Sequence, residues 1–120
     1  MKWALDKTKP LCPQLCEQVC LNIALGYING GDKMMSVRET AIDAGVNPNT
    51  AQKAFEKLEQ DKILYSIRGS GWFVCEDITP AKDTLQAIIK DKTKEYFQSL
   101  EALGMDTEAI KNYVKEWENE

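Results

Sequence analysis

GVNPNTAQKAFEKLE, residues 45–59, decides how the rest of the chain is read. Ala51, Ala54, Phe55 and Leu58 fall at i, i+3, i+4 and i+7, the spacing of one buried stripe on a helix. Counting about 100° per residue from that stripe puts Asn49, Gln52, Lys53 and Glu56 on the opposite side. Asn47 suits the N-cap and Pro48 the first helical position, so a helix over about 48–60 is expected. Asn and Gln amides donate and accept together, which matches the adenine edge, and Lys donates to guanine or phosphate. The outer face is thus suited to nucleic acid, although the chain carries a formal net charge of −4.

Just upstream, SVRETAIDAG reads as a helix of fewer than ten residues. Ser36 and Glu39 form a capping box, in which each side chain satisfies a free amide of the other residue. Val37, Ala41, Ile42 and Ala44 supply its apolar side, and Gly45 can take the left-handed conformation that stops a helix. A short helix, a tight turn and a longer helix with a polar outer face make a helix-turn-helix. Downstream the period changes. Ile63–Ile67 and Trp72–Cys75 are β-rich runs around RGSG, a hairpin signal. A hairpin directly after a helix-turn-helix is a winged helix, with the wing over 64–75.

Before these elements, Leu11, Leu15, Val19 and Ile23 recur every four residues, and Pro13 fits a first helical turn. That helix should fade near Gly26, INGGDK reads as a turn, and residues 3–5 suit a short strand or arm. After the hairpin, residues 79–120 read as two helices. Thr79 caps the first and Pro80 opens it; Leu85, Ile88, Ile89, Tyr96, Phe97, Leu100 and Leu103 form its apolar face, and Gly104 ends it. Asp106 caps the second, whose stripe is Ile110, Tyr113, Val114 and Trp117. Two such faces on a small domain expose more apolar surface than a monomer tolerates, and a symmetric pairing of two chains would bury it.

Composition bounds the alternatives. With 120 residues and 43% hydrophobic content, one packed domain with a short appendage is expected. No apolar run approaches the roughly 18 residues of a membrane span, and MKWALDKTKP lacks the apolar stretch of a secretory signal, so a cytoplasmic location with reduced thiols is expected. Residues 1–78 hold nine Lys/Arg against ten Asp/Glu, and residues 79–120 hold six against nine. The acidity is weighted toward the C-terminal part, which leaves the first part free to carry a local basic face of Arg38, Lys53, Lys57 and Arg68. Cys12, Cys16 and Cys20 sit at i, i+4 and i+8, but there is no histidine and no C-x-x-C pair, so they read as small apolar packing residues rather than metal ligands. No nucleophile–base pairing is recognisable, so no enzyme, catalytic residue, metal or cofactor is expected.

The stretch GDKMMSVRETAIDAGVNPNTAQKAFEKLEQDKILYSIRGSGWFV resembles the N-terminal winged-helix domain of GntR-family bacterial transcription regulators. The family pattern runs through G-D-x-L-P-S-x-R-x-L-A, then G-V-[ST/N]-x-x-T-V, then R-x-G-x-G-[TS]-F-V. The matches are Gly31, Asp32, Ser36, Arg38, Ala41, Gly45, Val46, Thr50, Leu58, Glu59, Arg68, Gly69, Gly71, Phe73 and Val74, and Pro10–Gln18 resembles the first helix of the family. The C-terminal part is short and similar to the YtrA subfamily, whose two C-terminal helices build the dimer. Met35 stands at a usual proline, Ala51 at a usual valine, and Gln52 and Lys53 where arginine is common.

The resemblance implies a mostly α fold with a small β-hairpin: a winged helix-turn-helix over residues 1–76 and two dimerisation helices over 77–120. It implies DNA contacts from Ser36, Arg38, Asn47, Asn49, Thr50, Gln52 and Lys53, with helix 48–60 in the major groove. Arg68, Gly69, Ser70 and Gly71 would form the wing tip at the minor groove. The implied partners are a double-stranded, pseudo-palindromic DNA operator and a second copy of the chain, with no membrane. The implied role is repression. A small-molecule effector is left open, because no residue set announces its pocket. The competing expectation is a winged helix that docks a protein and binds no DNA.

Overall fold

The computed structural model describes residues 1–117 and contains α1 (Leu11–Ala24), α2 (Val37–Ala44), α3 (Pro48–Gln60), β1 (Leu64–Ile67), β2 (Gly71–Val74), α4 (Thr79–Glu101) and α5 (Thr107–Trp117). The chain divides into two units, one over Met1–Leu85 and a second from Gln86 onward.

In the first unit the core is built where the three early helices meet the hairpin. Val19, Cys20 and Ile23 of α1 pack with Phe55 and Leu58 of α3 and with Ile63, Leu64 and Val74. Ala81, in the first turn of α4, joins the same cluster. Phe55 presents its ring to Trp72 edge-on, with centroids 5.3 Å apart, the geometry an aromatic quadrupole favours. A second cluster joins Leu15, Ala44 and Ala54, with Trp3 and Leu5 packed against it. Residues 3–5 therefore form the expected arm, but no strand: the arm is fastened by Trp3 Nε1 donating to Asp43 at 2.8 Å.

The Ser36–Glu39 capping box is present, with Glu39 N–H donating to Ser36 Oγ at 3.0 Å and Ser36 N–H to Glu39 Oε1 at 3.2 Å. Gly45 has φ 69°, and the Val46 N–H returns to Ala41 O at 2.9 Å, closing α2 tightly. Lys62 makes the matching closure of α3: its N–H donates to Glu59 O, and that of Ile63 to Leu58 O, at φ 62°. β1 and β2 pair antiparallel from Leu64↔Val74 to Ile67↔Gly71, leaving Arg68, Gly69 and Ser70 as the turn.

Three local expectations are corrected. Ile42 is not on the packed side of α2; it is 77% exposed. The helix buries Thr40, Ala41 and Ala44, and one residue past Ala41 the helix has already turned Ile42 outward. The first turn of α4 is capped by Asp77, whose Oδ1 accepts the Thr79 N–H at 2.9 Å, rather than by Thr79; that bond holds the Asp77 carboxyl below its usual range. Leu103 lies beyond the end of α4 and is exposed.

In the second unit, the Gly104 and Met105 amides close the end of α4 on Glu101 O and Leu100 O. Asp106 caps α5 by accepting the Ala109 N–H at 2.8 Å. Ile110 is 0% exposed, so it serves packing within the chain and has no surface to give a partner. Ile89, Tyr96, Tyr113, Val114 and Trp117 are exposed, and Leu85, Ile88, Phe97 and Leu100 are half-buried.

Candidate nucleic-acid interface

Helix α3 is held from behind and bare in front. Ala51, Ala54, Phe55 and Leu58 are buried, while Asn49, Gln52, Lys53 and Glu56 are exposed and Thr50 is half-buried. Asn47 Oδ1 accepts the Asn49 N–H at 2.8 Å, so its oxygen is committed to the cap while its amide group stays outside the helix. Gln52 Nε2 donates to Glu56 Oε1 at 3.0 Å. That bond fixes the amide plane of Gln52 and must be exchanged if Gln52 is to read a base edge.

The hairpin is tied to the same side of α3. Gln52, Glu56 and Glu59 are spaced i, i+4, i+7 along one stripe. At the far end of that stripe, Glu59 Oε2 accepts both the Ser66 hydroxyl, at 2.9 Å, and the Ser66 N–H, at 3.2 Å. The wing is therefore anchored beside the polar face of α3. Its turn residues Arg68, Gly69 and Ser70 are exposed. At the start of α2, Ser36 and Arg38 are exposed as well.

The structure adds contacts that no sequence motif marks. Residues 31–34 run antiparallel along β2, with Met34 N–H donating to Trp72 O and Val74 N–H to Asp32 O, both at 2.8 Å, and with Lys33 bridged to Phe73. The hairpin is thus widened by a third extended segment. Lys7 donates its ammonium to Ala44 O at 3.2 Å and Gly45 O at 2.6 Å, placing a cation on the last carbonyls of α2 at the turn into α3. Neither lysine belongs to an amphipathic pattern, so the only signal in the sequence was their charge.

The cysteines behave as packing groups. Cys16 Sγ donates to Ala54 O of α3 at 3.5 Å. Burial, with smaller contributions from Cys12 and Cys20, pushes its thiol up to about 12. Burial also pushes Cys20 up to about 11. Such thiols stay protonated at neutral pH and are poor nucleophiles. Among the described residues, no group of three or more His, Cys, Asp or Glu is placed to hold a metal ion, and no helix is long and apolar enough to cross a membrane.

The chain matches no family model. It is 32% identical over 111 residues to the HTH-type transcriptional repressor YtrA of Bacillus subtilis, spanning 89% of this chain and 83% of that protein. The chain belongs to the GntR family of transcription regulators, in its YtrA-like branch. A solved GntR-family regulator from Listeria monocytogenes superposes with a TM-score of 0.80 at 34% identity, covering 93% of this chain and 98% of that one. The DNA-binding domain of AraR, solved in complex with its operator ORX1, matches 62% of this chain and 92% of its own length, with a TM-score of 0.54 at 29% identity. The winged helix-turn-helix with C-terminal helices is thus the architecture of this family, and the chain is a DNA-binding regulator rather than a protein-docking module. Its relatives are transcription regulators and not enzymes.

Proposed function

We propose that this cytoplasmic regulator represses transcription by binding a pseudo-palindromic operator as a homodimer. The observation that carries the reading is the bare polar face of α3, with the glycine-tipped wing anchored beside it through Glu59 and Ser66. Asn49, Thr50, Gln52 and Lys53 would meet base edges and phosphates in the major groove. Asn47 would add its free amide group. Ser36 and Arg38 would hold the backbone beside the groove, and Arg68, Gly69, Ser70 and Gly71 would approach the minor groove, whose negative potential attracts arginine. YtrA of Bacillus subtilis is named a repressor and the AraR domain was captured on an operator, and both support repression at an operator.

Residues 1–76 are assigned to DNA and 77–120 to pairing. Tyr96, Tyr113, Val114 and Trp117 line an apolar groove on α4 and α5, and a second copy of the same face would cover it. Pairing would set two recognition helices about one DNA turn, or a multiple of it, apart.

The test is selection of a bound duplex from a random library by the wild-type protein. The expected product is an inverted repeat, held at least about tenfold more weakly by Arg38→Ala and with steeply falling affinity as salt rises. A selected pool bound no better than random duplex overturns the operator reading.

A further inference from the structure

We propose that Lys33 is a further DNA-binding residue, a phosphate contact that joins the start of α2 to the wing. It rests on the DNA-binding reading above and adds a residue that lies outside both the recognition helix and the wing turn.

Lys33 is placed by backbone, not by a helix. Its segment runs antiparallel along β2, bracketed by the bonds from Met34 to Trp72 and from Val74 to Asp32, and Lys33 stands directly opposite Phe73. In an antiparallel pair, opposite residues share a face, and so does the residue two further along the partner strand. Two residues before Phe73 is Gly71. A Cβ built on Gly71 would lie 3.3 Å from Lys33 Cε and 4.0 Å from its Nζ. The stem of the lysine therefore lies across Gly71, and the missing side chain there gives it room.

The two ends of this strip carry the expected DNA-contacting residues, two of them cations. Arg68 is in the turn, three residues before Gly71, and Ser36 and Arg38 open α2, three and five residues after Lys33. Glu39 registers the charge of Lys33: its carboxyl is held below its usual range, first by its hydrogen bonds to Ser36 and in smaller part by Lys33. Glu39 is already engaged by the Ser36 N–H, and among the described residues no ion pair holds the Lys33 ammonium. The result is an exposed cation spanning the gap between the helix start and the hairpin. A flexible ammonium outside the recognition helix suits a phosphate, a point contact that positions the protein without reading sequence.

The experiment titrates three proteins across a salt series: wild type, Lys33→Met and Lys33→Arg. Each meets a duplex selected by the wild type and a random duplex of equal length. Lys33→Met is expected to weaken both duplexes by the same factor. It should also flatten the plot of log affinity against log salt by about 0.9 per bound chain, with the thermal midpoint unchanged. Lys33→Arg is expected to keep both affinity and slope. Lys33→Gln repeats the measurement if the methionine variant does not fold. An unchanged slope overturns the proposal, whether affinity falls or not, because a merely structural lysine alters affinity without altering the number of released counterions. Wild-type protein with no salt dependence on either duplex overturns the DNA-binding reading itself, and the Lys33 assignment with it.

Discussion

The two units of this chain dispose of their apolar side chains in opposite ways. In Met1–Leu85 a core of large apolar groups turns inward: Leu15, Phe55, Leu58, Leu64 and Val74 are all buried, Leu25, Tyr27, Ile42 and Ile67 being exposed exceptions, and the polar face of α3 is left bare. From Gln86 onward, among the described residues, only Ile110 is buried, while Tyr96, Tyr113 and Trp117 stay exposed, Trp117 at 62%. A helix stripe has the same sequence signature in both places. What differs is whether three elements surround it or one. The lesson is that amphipathic spacing predicts that a face will be covered and does not say by what.

The sharpest way to break that contrast is to cut into each face. Phe55→Ala removes a ring that packs edge-on against Trp72 in the middle of the first core. It is expected to cost about 3–5 kcal/mol of unfolding free energy in urea titrations, the same at every protein concentration. The double change Tyr113→Ala with Trp117→Ala is expected to act on association instead. Aromatic anchors at interfaces are worth about 2 kcal/mol or more each, so losing both should raise the concentration of half-dissociation in sedimentation equilibrium about a thousandfold, with helix content by circular dichroism retained. If the double variant dissociates no more readily than the wild type, the exposed aromatics do not pair two chains and the contrast loses its functional meaning.

Much of the first unit was legible because its signals are local and redundant. The capping box at Ser36–Glu39, the glycine stop at Gly45, the Asn47–Pro48 start and the Arg68–Gly71 turn each announce a boundary, and the buried residues of α3, Ala51, Ala54, Phe55 and Leu58, follow one helical period. The candidate interface was legible to the extent that it lies on that helix and that turn. What stayed hidden depends on contacts between distant segments. The pairing of residues 31–34 with β2 carries no periodic pattern, because one bridged residue has no period. The bond from Glu59 to Ser66 joins two exposed polar residues that look like ordinary surface. Lys62 at positive φ closes α3 where a glycine would be the signal, so the end of that helix had no marker. On α2, hydrophobicity alone pointed to Ile42, while the helix geometry buried Thr40.

Thr40 also marks the finest distinction within the well-packed unit. It is 1% exposed, and its Oγ1 has no hydrogen-bond partner among the described residues. Its N–H is satisfied by Ser36 O at 2.9 Å, so the helix itself gains nothing from the hydroxyl. The family pattern carries leucine at this position, which is the residue type a core site with no polar partner favours. A buried hydroxyl left unpaired forfeits its water without compensation, a cost of about 1–3 kcal/mol. Thr40→Val keeps the β-branched shape and replaces the hydroxyl by a methyl. It should raise unfolding free energy by about 1 kcal/mol, the smallest of these effects, with DNA affinity untouched because the change lies behind α2 rather than on its exposed side. A loss of stability on Thr40→Val would mean that the hydroxyl has a partner in solution, and that the interior of the first unit is more polar than its apolar stripes imply.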